Sequence, residues 1–256
     1  MKFSFVIITC PGRETMLAQT VGSLLNTDFK DNILPRAAKP DWATLACSAG
    51  GDMHLWIQRD ETTFARRQER QEHNSLAALK AVVNNFPEAD VIVFCEDDVI
   101  FNRHLRHNLE HWKPLLKVVE PEYEGFCLGF GPLIQNEHIL PHAGQAPEYF
   151  FGSLYDPTIR ELAAFPEDHY FIADPEAVYG SQCYVMNRKM AEYFVEHWWE
   201  VPGMQDIKMS RLAARVTPIY YHMPSLVQHV GINSTWTDDN RFHDTKMYDG
   251  EFRSGV

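Results

Sequence analysis

Between Asp90 and Phe101 the sequence reads DVIVFCEDDVIF. A continuous apolar run of this kind has no polar face to offer water. As a strand it must therefore be covered on both sides, which is the condition of a sheet built from strand–helix–strand units. The run ends in three consecutive acids, Glu96, Asp97 and Asp98. Buried charge is costly unless it is paired or holds a cation. The acids must therefore lie where the strand leaves the core, and crevices in such sheets open at the carboxyl ends of the strands.

The rest of the chain supplies the strands and helices that this requires. FSFVIIT, from Phe3 to Thr9, reads as a first strand stopped by CPGR. Leu17, Val21 and Leu24 then fall at i, i+4 and i+7 and predict an amphipathic helix. Asn26 to Asp52 carries two prolines and a Gly-Gly pair and reads as an irregular connection, followed by MHLWI as a second strand. HNSLAALKAVVNNFP predicts a helix capped by Asn74 or Ser75, with Leu76, Leu79, Val83 and Phe86 on one face and Pro87 at its end. NRHLRHNLEHWKPLL predicts another, with Leu105, Leu109 and Trp112 on one side, and GFCLGFGP a glycine-punctuated strand. Tyr149 to Glu176 lacks periodicity and is expected to be loop. SQCYVMN reads as a strand leading into a helix that carries Met190, Phe194 and Trp198. A last helix is expected from Asp206 to Arg215, then a strand TPIYYH and the run PSLVQHVG. The fold class expected is α/β, a mostly parallel central sheet flanked by helices. One domain would span residues 1–232, with 233–256 as a polar tail serving as lid or strap.

Composition removes several function classes. The formal net charge of −12 over 256 residues argues against a broad nucleic-acid-binding face. No stretch approaches the roughly 18 uninterrupted apolar residues of a membrane span. MKFSFVIITCPGRE has no small-residue cleavage site and reads as a strand, not a leader, so a cytoplasmic location is expected. Cys10, Cys47, Cys95, Cys127 and Cys183 are scattered without a CxxC pair, which favours free thiols. GxSxG, P-loop and GxGxxG motifs are absent from the sequence.

In extended backbone, alternate side chains share a side, so Glu96 and Asp98 are expected to point one way and Asp97 the other. Two carboxylates so placed can share a divalent cation, and oxygen ligands suit Mg²⁺ or Mn²⁺ completed by water and phosphate. The plainer alternative is that the acids cap the following helix. Three further residues accompany the acids: Arg13 in the TCPGR turn, Asp206 in GMQD and His229 in PSLVQHVG. Each also has a structural alternative: a surface ion pair for Arg13, a first-turn acid for Asp206 and a satisfied core histidine for His229.

The order of first-strand Thr and Arg, mid-chain acid triplet, helix-start acid and late His resembles the GT-A class of nucleotide-sugar glycosyltransferases. FCEDDVIF is similar to the acid (DXD) motif of that class, and PSLVQHVG to the closing segment of several of its families. The resemblance covers roughly Phe3 to Gly231 and implies a nucleotide-binding half over about 1–100 and an acceptor half over about 101–232. It implies Mn²⁺ or Mg²⁺ held by Asp98 and His229, with Glu96 as a further ligand. Glu96 or Asp97 would hold the ribose or a metal-bound water, and Thr9 and Arg13 would line the base pocket. Asp206 would deprotonate the acceptor. The implied donor is a nucleotide-diphosphate sugar, a UDP-sugar before others. The acceptor hydroxyl is left open among a glycan, a small molecule, a protein and a modified DNA base. The sequence departs from the class at WIQRDE, where Gln58 or Asp60 stands in for the base-reading acid at the end of the second strand.

Two rival functions are a sugar-phosphate nucleotidyltransferase and a non-catalytic nucleotide-sugar or glycan-binding module. The single Gly and Arg of TCPGRETM make a poor triphosphate loop for the first. Arg66, Arg67 and Arg70 are the basic cluster that a DNA acceptor would need. His104, His107 and His111 share a helix face, but i and i+7 lie about 10 Å apart along the axis, too far for one ion. They are expected to be solvated. Trp198 falls on the core stripe, and the adjacent Trp199 is the candidate for an acceptor surface.

Overall fold

The computed structural model describes residues 1–29, 47–48, 53–119, 148–155, 168–173, 180, 182–231 and 248–255. The strands are β1 (Phe3–Thr9), β2 (Cys47–Ser48), β3 (Met53–Arg59), β4 (Val91–Glu96), β5 (Val99–Phe101), β6 (Phe151–Ser153), β7 (Tyr170–Ala173), β8 (Cys183–Asn187), β9 (Ile219–His222) and β10 (Val227–His229). The helices are α1 (Glu14–Leu25), α2 (Arg67–Asn85), α3 (Leu105–Glu110), α4 (Lys113–Val119), α5 (Arg188–His197) and α6 (Gln205–Ala213).

An eight-stranded sheet in the order β2-β3-β1-β4-β8-β6-β9-β7 forms the centre, and β10-β5 is a second, two-stranded sheet. β1 pairs in parallel with β3 and β4, and β6 in parallel with β9, while β2, β7 and β8 run against their neighbours. The fold is α/β, with most strands of the large sheet sharing one direction.

The period of two along the strands divides the core into two layers. Phe3, Phe5 and Ile7 of β1 join Val91, Val93 and Cys95 of β4 on one face, beside Leu17, Leu105, Leu109 and Trp112. Val6, Ile8, Ile92 and Phe94 face the other way, against Leu76, Leu79, Met190, Phe194 and Trp198. β4 is buried along its apolar length because helices cover both faces.

Several elements differ from expectation. α2 begins at Arg67, two turns before Asn74 and Ser75. Its first turns carry polar residues, so no apolar stripe marks them. Inside the helix Asn74 donates to the Thr9 carbonyl at 3.3 Å, and the Ser75 hydroxyl bonds to the Gln205 side chain. The stretch from Asn102 to Leu116 is two helices, not one. Pro114 sits in the first turn of α4, where a missing N–H is tolerated, and a bend at His111–Trp112 precedes it. Leu105, Leu109 and Trp112 are nonetheless all buried. Tyr149 to Glu176 contains β6 and β7. β6 lies between β8 and β9 with all its residues buried, so no alternation betrays it. GFCLGFGP lies outside the described residues.

The described end of the chain is a strap. Asn102 donates to the carbonyls of Asp249 and Phe252 at 2.7 and 3.1 Å, and Asn108 both donates to Phe252 and accepts from Ser254. His107 bonds the Ser254 carbonyl at 2.8 Å, so it is a strap contact and not a solvated residue. Cys10, Cys95 and Cys183 carry free thiols. No helix among the described residues is long and apolar enough to cross a membrane.

Beneath the strap, His222 at the end of β9 lies between the rings of Trp112 and Phe252, 5.2 and 5.9 Å away, and bonds the Pro224 carbonyl at 2.7 Å. Burial, against the pull of that carbonyl, pushes its pKa from 6.5 down to about 3. The folded ring therefore stays neutral where the unfolded one takes up a proton. Its contribution is whole above pH 6.5 and is lost as pH falls toward 3. In chemical denaturation between pH 7 and 4, His222→Gln is expected to show a shallower loss of stability with acid than the wild type. The difference should approach about 1.4 kcal/mol per pH unit below pH 6.

Candidate active site

The site is built where β1, β3 and β4 end side by side. After β1 the chain turns at Gly12, whose φ of +91° is a conformation few side chains adopt, and this delivers Arg13 to the start of α1. A cation at a helix N-terminus is disfavoured by the helix dipole. Two carboxylates hold it there. Arg13 Nε donates to Asp97 Oδ1 at 2.7 Å, and a terminal nitrogen reaches Asp97 Oδ1 at 2.6 Å and Asp98 Oδ2 at 2.5 Å. The Thr9 hydroxyl donates to the other oxygen of Asp97 at 2.5 Å. Thr20, from α1, donates to the Asp97 carbonyl and accepts from the Val99 N–H, fixing the bend between β4 and β5.

This bend changes the expected division of the acids. β4 stops at Glu96, so the alternation of an extended strand does not continue through Asp97 and Asp98, and these two converge on Arg13. Glu96 turns the other way and accepts from Gln205 Nε2 at 2.9 Å. Glu96 and Asp98 thus face different partners and do not share the side that alternation predicts.

His229 reaches the acids through the second sheet. β10 pairs antiparallel with β5 in a register that sets His229 opposite Val99, and Val230 N–H donates to the Asp98 carbonyl at 2.8 Å. His229 Nε2 lies 3.3 Å from Asp98 Oδ2. Beside them, Gly231 leaves open a notch that any side chain would fill. A Cβ there would collide with Asp98 Oδ2 and come within 2.9 Å of His229 Nε2.

Electrostatically, two acids share one guanidinium. Burial acts to lower the Arg13 pKa, but Asp97 and Asp98 outweigh it and hold the side chain firmly protonated. Burial likewise raises Asp98, yet His229 and Arg13 together hold it below the ordinary carboxylate value. At Asp97 burial prevails over Arg13 and Thr9, and the carboxyl lies above its usual value. The Cys10 thiol is pushed up by burial and by Asp97, which makes it a poor nucleophile.

A cleft of about 390 Å³ opens beside this cluster, lined by Thr9, Cys10, Arg13, Glu96 and Asp97 from the strand ends and by Arg67, Arg70, Gln71 and Asn74 from α2. Asp60, just past β3, completes it. Its N–H donates to the Thr9 carbonyl at 2.8 Å, and its carboxylate accepts from Thr62 and from Arg70 Nε at 2.8 Å. Sequence reasoning missed Gln71 and Asn74 and gave Arg67 and Arg70 a different use. The 67, 70, 71, 74 spacing, one face of a helix, was the signal that could have found them. Arg66 points away from that face and is exposed.

Asp206 occupies the first turn of α6, one residue beyond the Gln205 that Glu96 holds. It is buried; its carboxylate accepts from Gly180 N–H at 3.1 Å and from Ile207 N–H at 2.8 Å. It is not among the side chains lining the cleft.

Removal of Arg13 tests this electrostatic core. Arg13→Leu would leave Asp97 and Asp98 buried without their cation, and the expected loss is about 3 kcal/mol of unfolding free energy at pH 7. The deficit should shrink as pH falls and the carboxyls take up protons, as read from urea denaturation at pH 7 and pH 4.

Neither a known family profile nor a curated protein matches the sequence. Among solved structures, the chain is similar to a glycosyltransferase involved in glycosylation of the major capsid of PBCV-1. The identity is 11%, covering 91% of this chain and 95% of that one, with a TM-score of 0.44. It is similar to the galactosyltransferase LgtC, in complex with donor and acceptor sugar analogues, at 14% identity over 93% of this chain and 90% of that one, with a TM-score of 0.43. Residues 1–349 of S. aureus TarS align at 11% identity over 87% of this chain and 60% of that one, with a TM-score of 0.42.

Proposed function

We propose that the protein is a glycosyltransferase that moves a sugar from a nucleotide-diphosphate sugar to an acceptor hydroxyl. The observation that carries this reading is the cleft at the ends of β1, β3 and β4, walled by Arg13, Arg67 and Arg70 and by Asp60, Glu96 and Asp97. A pocket of both signs suits a ligand with anionic phosphates at one end and hydrogen-bonding base and ribose groups at the other. Thr9 and Arg13 lie on its wall, and Asp60 offers a carboxylate to the base. Glu96, which accepts from Gln205, or Asp97 would hold a ribose hydroxyl or an ordered water in this reading. A UDP-sugar is the donor to test first.

Asp98 and His229 fit the protein share of a divalent cation site. Asp98 Oδ1 is buried without a hydrogen-bond partner, and the notch at Gly231 lies against both side chains. A carboxylate with an imidazole suits Mn²⁺, and a site with few protein ligands is completed by water and phosphate oxygens. Among the described residues no group of three or more His, Cys, Asp or Glu side chains forms a full cage, which fits a cation held jointly with the donor. When bound, the cation would set positive charge against the departing nucleoside diphosphate.

In the transfer, the acceptor oxygen forms a bond to the anomeric carbon as the bond from that carbon to the diphosphate oxygen breaks. The acceptor proton passes to Asp206, in the first turn of α6, as the candidate base.

A thermal-shift panel of nucleotide sugars with and without Mn²⁺ tests this reading, followed by donor turnover. A UDP-sugar at 100 times its dissociation constant should stabilise the wild type by about 2.7 kcal/mol. Asp98→Asn is expected to lose the Mn²⁺-dependent part of that shift together with turnover. Full activity in that variant, or in EDTA, would remove the cation from the mechanism. Binding without turnover of any acceptor would favour a non-catalytic module, and a flat panel would defeat the proposal.

A further inference from the structure

Two of the three large apolar side chains that stand exposed among the described residues, Phe64 at 42% and Trp199 at 55%, flank one imidazole. Phe64 stacks on His73 with ring centres 4.4 Å apart, and Trp199 lies 4.9 Å from the same imidazole, tilted by 50°. These residues come from three places in the chain: the segment after β3, the middle of α2 and the 3-10 turn Trp198–Glu200. Phe64 belongs to the segment that joins Asp60 to Arg67, both of which line the cleft, whereas Phe64, His73 and Trp199 are not themselves among its lining residues.

The exposed indole is fixed from below. Lys208, only 2% exposed, is buried two residues after Asp206 and donates to the carbonyls of Trp198 and Val201 at either end of the turn, the latter at 2.5 Å. Its ammonium lies 3.4 Å from Glu72 and 5.0 Å from the centre of the Trp199 ring. Burying a lysine is unfavourable unless its charge is fully engaged. Here that engagement locks the turn and holds Trp199 in place with much of the indole open to solvent. An aromatic ring held rigid and wet is pre-organised to receive a ligand.

We infer that Phe64, His73 and Trp199 form a stacking platform for a neutral oligosaccharide, the acceptor of the transfer. This deepens the glycosyltransferase reading and rests on it. The apolar faces of pyranose rings match flat aromatic surface, and both Phe64 and Trp199 expose ring surface to solvent. Net charge opposes nucleic acid as the occupant, since the chain carries −12 overall. Size opposes a stable protein partner, which needs about 800 Å² from each side, whereas this row offers two exposed apolar rings among charged side chains. The place of Lys208 links platform to chemistry, because the same turn of α6 carries Asp206.

The test is saturation-transfer NMR and calorimetry on the full chain with neutral tetrasaccharides of glucose, galactose, mannose and N-acetylglucosamine, without nucleotide present. At least one series should bind, with transfer to sugar C–H protons. Trp199→Ala and Phe64→Ala should each weaken it about tenfold, the loss expected of one stacked ring. Trp199→Phe should recover part of the affinity. Phe64 lies in an exposed segment, so its variant remains informative if Trp199→Ala disturbs the turn. Absence of binding to every series, or equal binding by the wild type and both alanine variants, would overturn the platform. Nucleotide-sugar binding measured in parallel separates the outcomes: a protein that takes the donor but no oligosaccharide loses the platform alone. One that takes neither loses the glycosyltransferase reading as well.

Discussion

One guanidinium holds the site together. Arg13, set against the dipole of α1, is the cation that allows Asp97 and Asp98 to be buried side by side at the end of β4. Through those acids it joins three parts of the chain: the turn after β1, the bend between β4 and β5, and, by way of His229, the small sheet formed by β5 and β10. Buried carboxylates without such a partner would take up protons or open the bend. The cleft wall that they form would then be lost.

The sheet explains why the charges gather at this edge and not elsewhere. β1, β3 and β4 run in parallel and stop together, so the residues that follow each strand arrive at one rim: Arg13 after β1, Asp60 after β3 and the acids after β4. Two apolar layers on the faces leave the rim as the place where charged groups gather and pair. α2 then brings Arg67 and Arg70 across from the acids, and Asp60 ties Arg70 to the strand end. On the outer side of the same helix, His73 carries the row of exposed rings, so α2 forms a boundary between the cleft and the platform.

Legibility in the sequence followed apolar pattern. α1, α5 and α6 and strands β1, β3, β4 and β8 were marked by apolar runs or helical stripes, and the structure places them where these predict. The start of α2 was hidden because a helix turn facing a polar cleft has no apolar stripe. β6 was hidden because a strand three residues long with both faces covered has no alternation. The bend after Glu96 could not be seen either, since it depends on Thr20 capturing the backbone on both sides of Asp98. That bend is why Asp97 and Asp98 share a partner while Glu96 takes another.

By itself, the sequence determined the α/β class, the burial of β4 on both faces, the emergence of three acids at its end, and the division of Trp198 into core and Trp199 into surface. These follow from local periodicity and from the free-energy cost of burying charge. Only the tertiary structure decided that His229 meets Asp98 across a sheet of two strands and that Gln205 takes Glu96. The same holds for a buried Lys208 holding Trp199 open beside His73. These contacts depend on register and helix placement, and none is encoded in the composition or spacing of any single segment.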